Sequence, residues 1–206
     1  ILSNGKQAYQ GAYHFDGTNF QRVARKGYAK LTSSPEDKVV HDLKEAVKRA
    51  GLKNGMSISF HHHFRNGDYV VNKVVQAIGE LGIKDITIYA SSLGEAHDAL
   101  LPYIEDGTVT GLSSSGVRGK IGEAISHGLF HNVVYIRSHG GRVRAIESGD
   151  IHIDVAFIGA PSADCMGNAR GKGGKSDCGV LSYAMVDAQY ADKVVVVTDT
   201  LVPFPN

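Results

Sequence analysis

MSISFHHHFRNGDYVVN, residues 56–72, changes character twice. Residues 56–60 are a short apolar run and read as a buried strand. His61, His62, His63, Phe64, Arg65, Asn66 and Gly67 then form a polar, cationic loop. From Tyr69 onward Val70, Val71, Val74, Val75, Ile78 and Leu81 recur on one helical face, which predicts a helix over 69–81. A strand that feeds a helix through such a loop is the binding unit of an open α/β sheet. Ligands there sit beyond the carboxyl ends of the strands, where helix N-termini offer unpaired N–H groups. Asn66-Gly67 suits a tight turn because both residues tolerate positive φ. Arg65 supplies a planar fork of donors for carboxylate or phosphate.

The alternation continues in both directions. Ser34-Pro35-Glu36-Asp37 predicts a helix start, with a serine cap, proline in the first turn and acids favoured by the helix dipole. That helix should run to about Ala50, turning Val39, Val40, Leu43, Ala46, Val47 and Ala50 inward, and stop at Gly51. Strands are expected at 85–90, 108–112, 133–136, 153–158 and 193–198. Helices are expected at 95–104, 120–127, 142–148 and 181–190, with a long glycine-rich loop from 159 to 179. Val/Ile-rich strands alternating with helices imply an α/β fold: an open, mostly parallel sheet with helices on both faces. No internal repeat or low-complexity linker interrupts the pattern. The expectation is therefore one α/β domain over 1–206, with an extended arm to about residue 33.

Each strand is followed by a small, polar or glycine-rich segment, and a parallel sheet gathers these segments at one edge. Arg65, Asn66 and Gly67 are the first candidates for ligand positioning. Ser115, Gly116 and Arg118 follow, then Gly140, Gly141 and Arg142. Asp164, Gly167 and Asn168 read as residues that shape their loop, with Asp164 capping a turn. Hydroxyls, backbone N–H groups and several guanidinium groups in one place suit a small polyanion.

Three sharper motifs fail on inspection. His61 and His63 have the HxH spacing of metal ligands, but no partner cluster is visible, so the histidines read as hydrogen-bonding or packing groups and no metal is expected. GNARGKGGKS (167–176) misses the phosphate-loop register, because a match ending at Ser176 needs glycine where Ala169 stands. Ser138-His139 lacks the GxSxG elbow of a serine nucleophile.

The totals agree with a globular protein. Lys and Arg number 22 against 21 Asp and Glu, a net charge of +1, which argues against a dedicated nucleic-acid binder. No apolar run approaches a membrane span. Cys165 and Cys178 are not a CxxC pair and read as free thiols. The chain starts at Ile1 and stops just after a strong strand, which suggests a piece of a longer protein.

ISFHHHFRNGDYVVN, SSSGVRGKIG, SHGGRVRAIESGDIHIDVAFIGAPSADCMGNARG and YADKVVVVTDTLVPFPN, in this order, closely resemble the citrate lyase α-chain family. IDVAFIGAPSAD followed by GN also resembles a strand and loop shared by the coenzyme A transferase superfamily. The likeness spans nearly the whole chain and implies the N-terminal half of such a protein. It implies a citrate CoA-transferase that exchanges acetyl for citryl on a thioester and releases acetate. The implied carrier is acetyl-CoA or the phosphoribosyl-dephospho-CoA arm of an acyl carrier protein, with no tightly bound cofactor. The implied partners are the β (lyase) and γ (acyl carrier) subunits in a cytoplasmic complex, with this subunit a homo-oligomer within it. Many superfamily relatives use a glutamate nucleophile. Nothing in this chain marks one, and Glu95 and Glu147 read as structural. Two competing readings are a non-catalytic assembly half and a sugar-phosphate isomerase-like enzyme.

Overall fold

The structure, a computed structural model, describes residues 22–26, 38–64, 68–130 and 132–206. Apart from 22–26, the expected arm lies outside the described residues, as does the helix start at 34–37. β1 (Ser57–Phe60) is the centre of the sheet. It pairs in parallel with β2 (Ile86–Ala90) on one side and β5 (Val155–Gly159) on the other. With β3 (Val109–Ser114), β4 (Tyr135–Ile136) and β8 (Lys193–Val197) the order is β4-β3-β2-β1-β5-β8, and every pairing is parallel. The chain thus winds outward from β1 to β4, then returns to the far side of β1. Strand order reverses between β1 and β5, the place where open α/β sheets form their binding crevice.

Alternation along the strands builds two cores. Ile58, Phe60, Val155 and Phe157 face a large cluster with α1 (Leu43–Ala50), α2 (Val70–Glu80), a 3-10 turn (Glu95–Leu100), α3 (Leu101–Glu105) and α4 (Gly119–Ser126). Ala156 and Ile158 face a smaller cluster with α5 (His139–Ser148) and α6 (Ala184–Tyr190). Phe60 and Phe157 stack across the β1–β5 pair, with ring centroids 5.7 Å apart and planes 16° from parallel.

Several expected bounds shift for local reasons. α1 begins at Leu43, because Asp42 caps it by accepting from the Glu45 amide at 2.9 Å, so Val39 and Val40 precede the helix. It stops at Gly51 in the left-handed conformation (φ 75°), as expected. The helix expected at 95–104 is a 3-10 turn that becomes α-helical only around Pro102. α5 starts three residues before Arg142, because Ser138 accepts from the Gly141 amide. β4 is a two-residue edge strand, exposed on both faces. The glycine-rich loop contains a small antiparallel ribbon of β6 (Ser162–Ala163) and β7 (Ala169–Arg170).

Phe157 is fully buried at the middle of β5. Phe157→Ala should cost about 3–5 kcal/mol, measured by urea unfolding. A loss below 1 kcal/mol would contradict the packing described for the larger core.

Candidate functional site

β1 ends at Phe60 and β5 at Gly159, side by side at the point of reversal. Gly159 fits closely there. A Cβ would lie 3.0 Å from Phe64 Cε2 and 3.1 Å from Val70 Cγ2, so glycine leaves room for Phe64 to lie over the end of β5. Beyond the strands the edge stays knitted. The His62 amide donates to Ser91 Oγ at 2.9 Å, the Ser91 amide to the Phe60 carbonyl at 3.2 Å, and the Ser115 amide to the Ser91 carbonyl at 3.2 Å.

The three histidines leave β1 toward opposite layers, because successive side chains alternate. His61 and His63 go to the α5–α6 side and stack, with centroids 5.3 Å apart. His62 goes to the α2–α3 side and meets the ring of His97 edge-on at 5.5 Å. Alternation therefore separates His62 from the His61–His63 pair. Among the described residues, the grouping with metal-ligand spacing is His152, Asp154 and Asp192, within 4.8 Å of one another. It lies at the amino ends of β5 and β8, away from this edge, and is closed by ion pairs. His152 reaches Asp192 at 3.0 Å and Asp154 at 3.5 Å, and Lys26 reaches Asp192 at 2.6 Å.

On the α5–α6 side, His61 closes on Asp187 of α6, with Nε2 2.8 Å from Oδ2. Arg142, in the first turn of α5, donates to the same carboxylate twice, Nη1 to Oδ1 at 2.8 Å and Nη2 to Oδ2 at 2.6 Å. All three side chains are almost wholly buried. Burial alone would push the Asp187 carboxyl up. His61 and Arg142 together outweigh burial and hold it at about 2. An ionised carboxylate only accepts, so the His61 Nε2–H is the donor. His61 Nδ1 and Arg142 Nε are buried without a hydrogen-bond partner among the described residues. Burial, aided by the neighbouring His61 and His62, lowers His63 to about 4, so its ring is neutral at pH 7.

On the α2–α3 side, Asp68 is buried at the foot of α2, and its Oδ1 accepts from the Val70 amide at 3.2 Å. Burial raises its carboxyl to about 6, against the pull of the Val70 and Phe64 amides. A cavity of about 10 Å³, near the size of one water, lies between Asp68, His62, Ser92 and His97.

The expected ligand residues separate into three groups. Arg65, Asn66 and Gly67 lie outside the described residues. Ser115, Gly116, Arg118, Gly140 and Gly141 all lie along the carboxyl edge. Arg118 is exposed at the N-cap of α4, and Gly140 is exposed in the first turn of α5. Arg142 departs from expectation, because both terminal nitrogens of its fork are spent on Asp187 inside the protein. Asp164, Gly167 and Asn168 form a closed turn. Asp164 accepts from the Met166 and Asn168 amides, the Asn168 side chain and the Asn206 amide, so its oxygens shape the loop as expected. This turn borders a groove of about 810 Å³ along α1 and β8 that contains none of the histidine segment. Asp187 and Asp68 were not picked out from the sequence, whereas His61 was read there as a hydrogen-bonding or packing group and does bond Asp187. For Asp187 a signal existed: it is an acid spaced three residues from both Ala184 and Tyr190, on the buried face of α6. Cys165 and Cys178 are free thiols.

Residues 36–206 match the family described as citrate lyase, alpha subunit (CitF). The citrate lyase alpha chain of Haemophilus influenzae is 48% identical over 94% of this chain. The chain spans 39% of that relative's length. A crystal structure of the alpha subunit of citrate lyase from Streptococcus mutans, in complex with citrate, is 55% identical over 91% of this chain and 36% of its own. Its TM-score is 0.86. Glutaconate coenzyme A-transferase from Acidaminococcus fermentans shares the fold at a TM-score of 0.55 and 16% identity, over 79% of this chain and 67% of its own.

The buried Asp68 gives stability a pH dependence of known sign. Its folded pKa, about 6, lies above its ordinary 3.8, so the folded state holds the proton more tightly. Its contribution is fully present below 3.8 and is lost as pH rises through 6. His63 acts in the opposite direction between about 4 and 6.5, so variant and parent are compared at each pH. Asp68→Asn should match the parent at pH 4 and exceed it by about 2 kcal/mol at pH 8 in urea unfolding. An equal difference at both pH values would contradict the buried, proton-holding carboxyl.

Proposed function

The chain belongs to the citrate lyase alpha subunit family, and from that premise we propose that it takes part in citrate CoA-transfer. On this reading it exchanges the acetyl group of an acetyl thioester for citryl and releases acetate. The observation that carries the reading is the 55% identity, over 91% of the chain, to a citrate lyase alpha subunit held in a complex with citrate. The thioester is that of acetyl-CoA or of the phosphoribosyl-dephospho-CoA arm of an acyl carrier subunit. A lyase subunit then cleaves the citryl thioester. The working unit is a complex of these subunits in the cytoplasm, with more than one copy of this one. No helix among the described residues is long and apolar enough to cross a membrane.

The chemistry sets what the site must do. A citrate carboxylate oxygen attacks the acetyl carbonyl carbon, the carbon–sulfur bond breaks, and a thiolate leaves a mixed anhydride. The thiolate then attacks the citryl carbonyl carbon, the anhydride carbon–oxygen bond breaks, and acetate leaves. No proton is gained or lost overall. Each addition builds negative charge on a carbonyl oxygen, which fixed N–H donors stabilise better than mobile water. Citrate itself brings three carboxylates, which suit helix N-termini and guanidinium forks.

Of the helix starts along the carboxyl edge, those of α4 and α5 are not equivalent. At α4 the Ile121 amide already donates to Asp98 Oδ1 at 3.3 Å, so a carboxylate of the protein occupies that end. At α5 Ser138 caps Gly141, and the exposed Gly140 leaves the first turn open to an anion. We therefore assign a citrate carboxylate to the first turn of α5. Arg118, exposed at the N-cap of α4 on the same edge, serves as a cationic partner on this reading, and Arg65 adds the fork expected from the sequence.

The test is acetate release from acetyl-CoA by the full-length protein, with and without citrate. Citrate-dependent release is expected. Arg118→Ala should raise the citrate KM about tenfold, the loss of one charge-assisted hydrogen bond, with kcat and Tm nearly unchanged. A folded parent protein with no citrate-dependent release would instead make the chain an assembly element.

A further inference from the structure

We propose that Asp187 is a positioning residue for the transfer reaction. Through its bridge to His61 and Arg142 it sets the spacing between the loop after β1 and the first turn of α5. The inference rests on the transferase reading and extends it to Asp187 and His61, two residues buried beneath the edge.

The bridge joins three elements far apart in sequence. His61 and Asp187 are 126 positions apart, and Arg142 and Asp187 are 45 apart. His61 begins the loop that continues through His63 and Phe64. Arg142 directly follows Gly140 and Gly141, whose turn is open to an anion. One carboxylate therefore grips the root of both segments that face the crevice. It grips them with orientation, because the guanidinium fork is bidentate and the imidazole accepts only one in-plane geometry. The stack of His63 on His61 carries that orientation one step further along the loop.

Stability alone does not account for this arrangement. The surrounding layer is apolar, with Ala145, Ile146, Ala184 and Val186 nearby, and apolar side chains of similar size would fill the space at no loss. A buried ionic bridge costs desolvation and returns fixed geometry. Nor does the reaction require the bridge as an acid or base, since the exchange moves no net proton. His61 spends Nε2–H on Asp187 and keeps Nδ1 buried, so it acts as a strut.

The experiment compares the full-length parent with Asp187→Asn and with the apolar triple variant His61→Phe, Arg142→Met, Asp187→Leu. Citrate-dependent acetate release gives kcat and KM. Melting gives Tm, and amide exchange reads residues 61–64 and 138–142. The triple variant is expected to melt within about 3 °C of the parent. It should lose about 100-fold in kcat, the size of loss that a misplacement of about 1 Å can cause. Amide protection in both segments should fall about tenfold or more. The parent's kcat should be flat through the histidine range of pH. A triple variant with kcat within threefold of the parent overturns the inference. So does failure of both variants to fold, which makes the bridge a stability element. So does a histidine limb in the pH profile that His61→Gln removes, which makes His61 a base. If the parent shows no citrate-dependent release, the transferase reading fails on its own account. Amide exchange then decides positioning, and unchanged protection in both segments overturns it.

Discussion

The carboxylate of Asp187, buried between the guanidinium of Arg142 and the imidazole of His61, is the constraint on which the carboxyl edge depends. An ionised group with no solvent survives burial only if its lone pairs are filled by donors of opposite charge or fixed geometry. Three hydrogen bonds do this here, one from His61 at the end of β1 and two from Arg142 in α5. The smaller core is thereby pinned to the end of β1, where strand order reverses.

The sheet itself divides the work of the histidine segment. Alternation sends His61 and His63 to the ionic layer, where burial and neighbouring histidines keep His63 neutral. It sends His62 to the other layer, beside His97 and the proton-holding Asp68. The segment therefore links an ionised cluster on one face to the buried Asp68, whose carboxyl burial raises, on the other. Asp68, through its contact with the Val70 amide, ties the second cluster to the start of α2.

Much of this architecture was legible in the sequence, because apolar runs and helical periodicity report directly on burial. The switch between residues 60 and 61, the α2 face and the Val-rich β8 all followed from spacing. Local capping was less legible. Asp42 and Ser138, both followed three residues later by a workable amide, set the starts of α1 and α5 and displaced the expected bounds. Arg142 shows where the reading of the site ran out. A guanidinium beside Gly-Gly at a strand end suggests a ligand fork, and only the non-local approach of Asp187, 45 positions on, shows that the fork is already filled. Pairing across that distance leaves no period in the sequence. The one hint, an acid on the buried face of a short helix, becomes informative only when its partners are known.

The citrate site proposed here lies at the carboxyl edge between the end of β1 and the first turn of α5, above the Asp187 bridge. The most direct test is a crystal structure of the full-length protein with citrate bound. The account predicts a citrate carboxylate within hydrogen-bond distance of the α5 first turn, with Arg142 still paired to Asp187. Citrate seated in the groove along α1 and β8, or Arg142 turned away from Asp187 to hold it, would contradict the account.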